Sequence, residues 1–170
     1  MLDGKVVGCP HLLLEPTTTN TATYSNDYTQ GDIFNGSDTP SLGFSVLTQN
    51  QGTAPDGTNT AQKLTDINNG NVGEILLSFN STNLTSGTST ISMFVKKDTV
   101  RYFVIGFINF DTNQETSFDL DTGTVNRGEG VMTYYGNGWY RCSATITTTT
   151  DLIGSIRFYI TENSAATAGS

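Results

Sequence analysis

The sequence is poor in the residues from which catalytic and metal centres are built. Its one histidine, His11, stands beside Pro10 in an irregular N-terminal stretch, and no glycine-rich phosphate loop accompanies it. A lone histidine without a nucleophile or acid partner is incidental, so the chain reads as a non-enzyme that needs no cofactor. The two cysteines, Cys9 and Cys142, lack metal-ligand spacing, and Cys142 reads as a small core residue rather than half of a bridge. Carboxylates do pair near turns, Asp119 with Asp121 and Asp111 with Glu115. Such pairs are more often turn caps, with a glycosidase-like pair as the alternative. Asp111, Asn113 and Glu115 also place oxygens at alternate positions and are the only calcium candidates. The glycine and distal glutamate of an EF-hand loop are absent there, so an ordinary solvated hairpin is the favoured reading and no metal is expected.

Basic residues are equally scarce. Eight Lys and Arg face sixteen Asp and Glu, a net charge of −8, and no basic cluster offsets it. That balance disfavours nucleic acid and anionic membrane surfaces as partners. Apolar runs such as Tyr102 to Ile108 are too short to span a bilayer as a helix. Met1 to Lys5 does not open a signal peptide, so synthesis in a cytoplasm is expected. The acceptor sequons at Asn35, Asn80 and Asn83 therefore carry little weight.

What the chain has instead is Thr, Ser, Asn and Gly interleaved with Phe, Tyr, Ile and Val. Charged residues are 14 % against 35 % hydrophobic, a mixture that suits an all-β globular domain rather than a disordered chain. Length suits one domain. We divide it into an N-terminal arm or attachment segment over 1–31, a β-sandwich over 32–162 and a loose polar tail over 163–170. The arm holds the apolar knot Leu12, Leu13 and Leu14, closed by Glu15 and Pro16. Strands are predicted at Ile33–Phe34, Phe44–Thr48, Gln62–Ile67, Glu74–Asn80, Thr90–Lys97, Val100–Phe110, Thr116–Leu120 and Val125–Tyr135. Of these, Val100–Phe110 is apolar on both faces, as in a covered central strand or a subunit contact. About ten short strands without helical periodicity indicate a two-sheet antiparallel β-sandwich of jelly-roll type, with the N-terminal arm extended.

The last strands are the most regular. From Asn137 to Glu162 the pattern predicts a hairpin, with Tyr140, Cys142, Ala144 and Ile146 inward and Ile156, Phe158 and Ile160 inward on the return. Its outward face would carry Trp139, Arg141, Arg157 and Tyr159. Aromatic rings beside polar groups are what a sugar-stacking surface needs, so these four are the candidate glycan-binding residues. The plainer alternative is that Trp139 packs against the second sheet or an Arg stem while Tyr140 anchors the strand from inside.

Read in order, several passages resemble a known module. They are Leu12 to Asn20 (LLLEPTTTN), Tyr24 to Tyr28 (YSNDY), Ala54 to Thr58 (APDGT), Phe94 to Lys96 (FVK), Phe118 to Gly123 (FDLDTG) and Gly138 to Arg141 (GWYR). This succession, from Leu12 to Ile160, resembles a carbohydrate-binding-like jelly-roll module of tailed-bacteriophage virion proteins, of the tail-fibre, capsid-fibre and decoration type. The resemblance implies a structural protein of the virion, made in the host bacterial cytoplasm. Its implied partners are other capsid or tail proteins, further copies of itself, often as a homotrimer, and a host surface glycan. The arm, with Leu12, Leu13, Leu14 and Pro16, would be its attachment element. Alternative functions are a host-glycan receptor-binding module of a tail fibre and an accessory module of a secreted polysaccharide-degrading enzyme. Modules of this type also end in a glycine-rich strand that is missing after Ile160, which leads us to expect an open sheet edge beside Gly154–Ile160.

Overall fold

A computed structural model describes Tyr28 and residues 45–67 and 77–165. The arm residues Leu12, Leu13, Leu14 and Pro16, His11, Cys9 and the expected strand at Ile33–Phe34 lie outside the described residues. Every regular element within them is a strand: β1 Ser45–Gly52, β2 Ala61–Asp66, β3 Leu77–Leu84, β4 Gly87–Lys96, β5 Tyr102–Ile108, β6 Gln114–Asp119, β7 Thr124–Arg127, β8 Gly130–Gly136, β9 Trp139–Thr148 and β10 Leu152–Thr161. They form three antiparallel sheets: a two-stranded β1-β2, a five-stranded β3-β10-β5-β6-β7 and a three-stranded β4-β9-β8. The protein is all-β and sandwich-like.

The five-stranded and three-stranded sheets share one core. From the first come Phe79, Phe103, Ile105, Phe107, Phe118, Ile156 and Phe158; Ile91, Cys142, Ala144 and Ile146 face them from the second. Phenylalanines step across four adjacent strands, Phe79 to Phe158 at 5.9 Å, Phe158 to Phe103 at 6.0 Å and Phe103 to Phe118 at 6.2 Å between ring centroids. Burying such rings against one another is the main source of stability in this layer. Cys142 sits opposite them as a free, fully buried thiol, the role its place in the alternation suggests.

Two organisational expectations are corrected. The predicted hairpin of 139–146 with 154–160 does not form: β9 pairs with β4 and β8, whereas β10 pairs with β3 and β5. Residues 149–151 carry the chain from one sheet to the other. Asp151 Oδ1 accepts the Ser86 amide at 2.8 Å and Thr148 Oγ1 donates to the Thr85 carbonyl at 3.3 Å, so this crossing lies against the β3–β4 crossing. Period-two alternation states which side of a strand is inward but not which sheet owns it. The second correction concerns the edge. With β3 on one side and β5 on the other, β10 is an interior strand from Ser155 to Phe158, so no open edge lies beside that part of Gly154–Ile160.

Val100–Phe110 resolves to the covered alternative. All of β5 is buried, its second face being covered where Val104 and Tyr159 pack with Leu64 of β2. Val125–Tyr135 is two strands, broken at Gly128, whose φ of +79° and close approach to the Glu115 carbonyl redirect the chain between sheets.

The open face of the three-stranded sheet

β9 runs down the middle of its sheet, so its outward residues from Trp139 to Ser143 have a cross-strand neighbour on both sides. At one end, Trp139 stands opposite Lys96 of β4 and Gly136 of β8; next, Arg141 stands opposite Phe94 and Thr133; then Ser143 opposite Ser92 and Val131. Beyond these, β9 and β4 continue alone with Thr145 opposite Thr90 and Thr147 opposite Thr88. The β8–β9 turn is Asn137-Gly138, with φ of +53° and +81°, the signs of a type I′ turn whose twist suits a two-residue hairpin. A register shift between Tyr134 and Gly136 accompanies it.

Tyr135 meets Phe94 edge-on at 4.8 Å between centroids. Both remain open to solvent, Phe94 at 40 % and Tyr135 at 60 % of their surface, and Val131 at 62 % extends the apolar area. Beside them the Arg141 guanidinium is fixed by Ser92 Oγ, which accepts from Nε at 3.3 Å and Nη2 at 3.1 Å. Further along, hydroxyls pair across the strands, Thr90 with Thr145 at 2.9 Å and Thr88 with Thr147 at 3.1 Å. The face thus runs from an aromatic pair, past a held cation, to a strip of hydroxyls. It can take an extended ligand with apolar ring faces and many hydroxyl groups.

Trp139 and Arg141 therefore belong to this face, but Arg157 and Tyr159 do not join them. Arg157, partly exposed, and Tyr159, fully buried, lie on β10 in the five-stranded sheet, on the side away from the core. Their pattern resembles that of β9, yet the crossing at 149–151 separates them. Phe94 and Tyr135 are the residues the sequence reading missed. Phe94 carried a signal, an aromatic residue sharing a face with Ser92 and Lys96; Tyr135 depends on the register shift. Trp139 is half-buried, and its indole N–H is occupied by the Thr53 carbonyl at 3.1 Å.

The acidic residues do other work. Asp119 is gripped by Arg101, which donates from Nε at 3.1 Å and Nη2 at 2.7 Å, and accepts the Asp121 amide at 2.9 Å. The Arg101 guanidinium holds the Asp119 carboxyl well below the usual carboxylate range, helped by the Asp121 and Thr122 amides. A carboxyl kept ionised in this way is in the wrong state for the general acid of a glycosidase pair. Asp121 pairs with Lys97. In the calcium candidate, Asn113 Oδ1 accepts the Asn109 amide at 2.9 Å, Glu115 pairs with Arg127 at 3.0 Å, and Asp111 is exposed in the β5–β6 loop. Among the described residues no group of three or more His, Cys, Asp or Glu is gathered as a metal site.

Four of the six passages of the motif series, those from Ala54 onward, converge at the end of the sheet where β9 begins. Trp139 reaches Thr53, next to the Ala54-to-Thr58 turn; Tyr140 lies against Gly123, where an added Cβ would stand 2.9 Å from its Cε1; and β4 pairs Lys96 with Trp139. The chain matches no family model and none of the curated proteins.

Proposed function

We propose that the chain is a non-enzymatic structural protein of a tailed-phage virion, a surface fibre or decoration component with a carbohydrate-binding-like β-sandwich of jelly-roll type. The observation that carries this reading is the meeting of APDGT, FVK, FDLDTG and GWYR at one end of the three-stranded sheet. Passages scattered over some ninety residues of sequence support one another there, as the parts of a single inherited module would. Strand order supports the jelly-roll assignment. Among β3 to β10 the first strand pairs with the last and the second with the next to last, the nesting of a folded-over double strand. The inner strands depart from it, since β5, β6 and β7 follow one another as a meander. In this reading the arm docks on the particle through Leu12, Leu13 and Leu14, and copies of the chain assemble as a homo-oligomer. Antibody labelling of particles purified from producing cells tests it. Labelled particles are expected, with labelling lost when Leu12, Leu13 and Leu14 are replaced by Asp in the full chain. Purified particles free of the protein would sink the assignment.

A second reading, that the module engages a host glycan, is favoured by the composition of the open face. Aromatic surface beside ordered hydroxyls suits a saccharide better than a protein partner, whose interface core would be more uniformly apolar. A glycan array probed with the intact protein tests it, with Phe94→Ala expected to abolish signals seen for the native chain.

A further inference from the structure

We infer that the open face of β4, β9 and β8 selects a carboxylate-bearing saccharide, with Arg141 as the residue that reads the charge. This rests on the glycan reading above. The protein carries a net charge of −8, yet none of the outward positions of this face, from Thr88 to Lys96 on β4, Trp139 to Thr147 on β9 and Val131 to Tyr135 on β8, is Asp or Glu. Two cations, Arg141 and Lys96, stand there instead. In a molecule with twice as many acids as bases, a face with bases alone is a place where an anion meets little local repulsion.

The geometry of Arg141 narrows the anion. Ser92 Oγ accepts from Nε and Nη2 on one edge of the guanidinium. The end of the fork, one hydrogen on each Nη, is left pointing away from that bond, and it matches the two oxygens of a carboxylate. Because Ser92 holds the plane in place, little side-chain freedom remains to be lost on binding. Phe94 is the cross-strand neighbour of Arg141, and its ring with that of Tyr135 provides the apolar surface against which a pyranose can lie while its carboxylate meets the fork. The Thr90–Thr145 and Thr88–Thr147 pairs continue along the strands, where hydroxyls of following residues of the saccharide would fall.

The test is an array carrying uronic- and sialic-acid saccharides beside the same saccharides as methyl esters, probed with the full chain and followed by titration calorimetry on the strongest pair. We expect binding of free acids, weakened at least tenfold on esterification. Arg141→Gln should bring acid and ester to equal affinity, whereas Arg157→Gln, on the other sheet, should leave the preference intact. Equal binding of acid and ester by the native chain overturns this inference but leaves the glycan reading standing. Binding to neutral saccharides alone does the same. Binding to nothing on the array overturns both.

Discussion

The Trp139 indole N–H donates to the Thr53 carbonyl at 3.1 Å, joining residues 86 positions apart. Thr53 lies between β1 and β2, the pair outside the two main sheets, so this bond fastens the small hairpin to the end of β9. The only tryptophan of the chain is thus both part of the open face and a clip between elements.

Trp139→Phe keeps most of the apolar body and removes the donor. A hydrogen bond of this kind contributes about 0.5–1.5 kcal/mol, which is the expected loss in a urea melt. Hydrogen exchange locates it: the Gly57 amide, bonded to the Ala54 carbonyl within the β1–β2 turn, should exchange faster. Amides in the β4–β9 ladder should not change. Uniform acceleration across both sheets would show that Trp139 supports the fold as a whole and not this one contact.

Two glycines separate backbone strain from steric exclusion. Gly136 has φ +95° with open space where a Cβ would go, so Gly136→Ala costs only the conformational term of about 1–2 kcal/mol. Gly128 has φ +79° and its Cβ would lie 2.2 Å from the Glu115 carbonyl oxygen, a backbone atom that cannot swing aside. Gly128→Ala should therefore lower the melting temperature clearly more than Gly136→Ala. Equal shifts would mean that the β7–β8 corner opens easily.

Asp119 makes a statement about acid stability. Its carboxyl is held below its ordinary value by Arg101 first, then by the Asp121 and Thr122 amides. A group with a depressed folded-state pKa contributes stability that is present above its unfolded pKa, close to 4, and lost as the pH falls toward the folded value. Denaturant midpoints should therefore fall from about pH 5 downward, and Asp119→Asn should flatten that slope while lowering stability at pH 7. An unchanged acid slope in the variant would place the acid sensitivity elsewhere.

Much of this packing is legible in the sequence, and the reason is particular. Cys142, Ala144 and Ile146, and Ile156 and Phe158, point inward as alternation demands, because each strand has one face in the same core. Which strands are neighbours is not legible there. The Thr149-to-Asp151 stretch reads like any polar hairpin connection, yet its bond to Ser86 belongs to a crossing between sheets. For the same reason Tyr159, outward by alternation, is fully buried: its surroundings include Leu64, nearly a hundred residues earlier, which no local pattern reveals.

Phe158 is the residue on which the shared core most depends. Its ring stacks on Phe103 at an interplanar angle of 10° and takes Phe79 edge-on at 76°, so it links β3, β10 and β5 through side chains as well as through the ladder. Phe158→Ala removes both ring contacts and leaves a cavity that strands bonded on both sides cannot collapse to fill. A loss of about 3–5 kcal/mol is expected. The Cys142 thiol, pushed up to about 12 by burial, offers an independent readout in the opposite sheet. A thiol so placed reacts with a disulfide reagent only when the core opens, because the thiolate is the attacking species. In Phe158→Ala its labelling should accelerate by the factor that the lost stability dictates, roughly tenfold for each 1.4 kcal/mol when opening is fast relative to labelling. Destabilisation in the melt without faster Cys142 labelling would show that the two sheets open separately and that the core is not one cooperative unit.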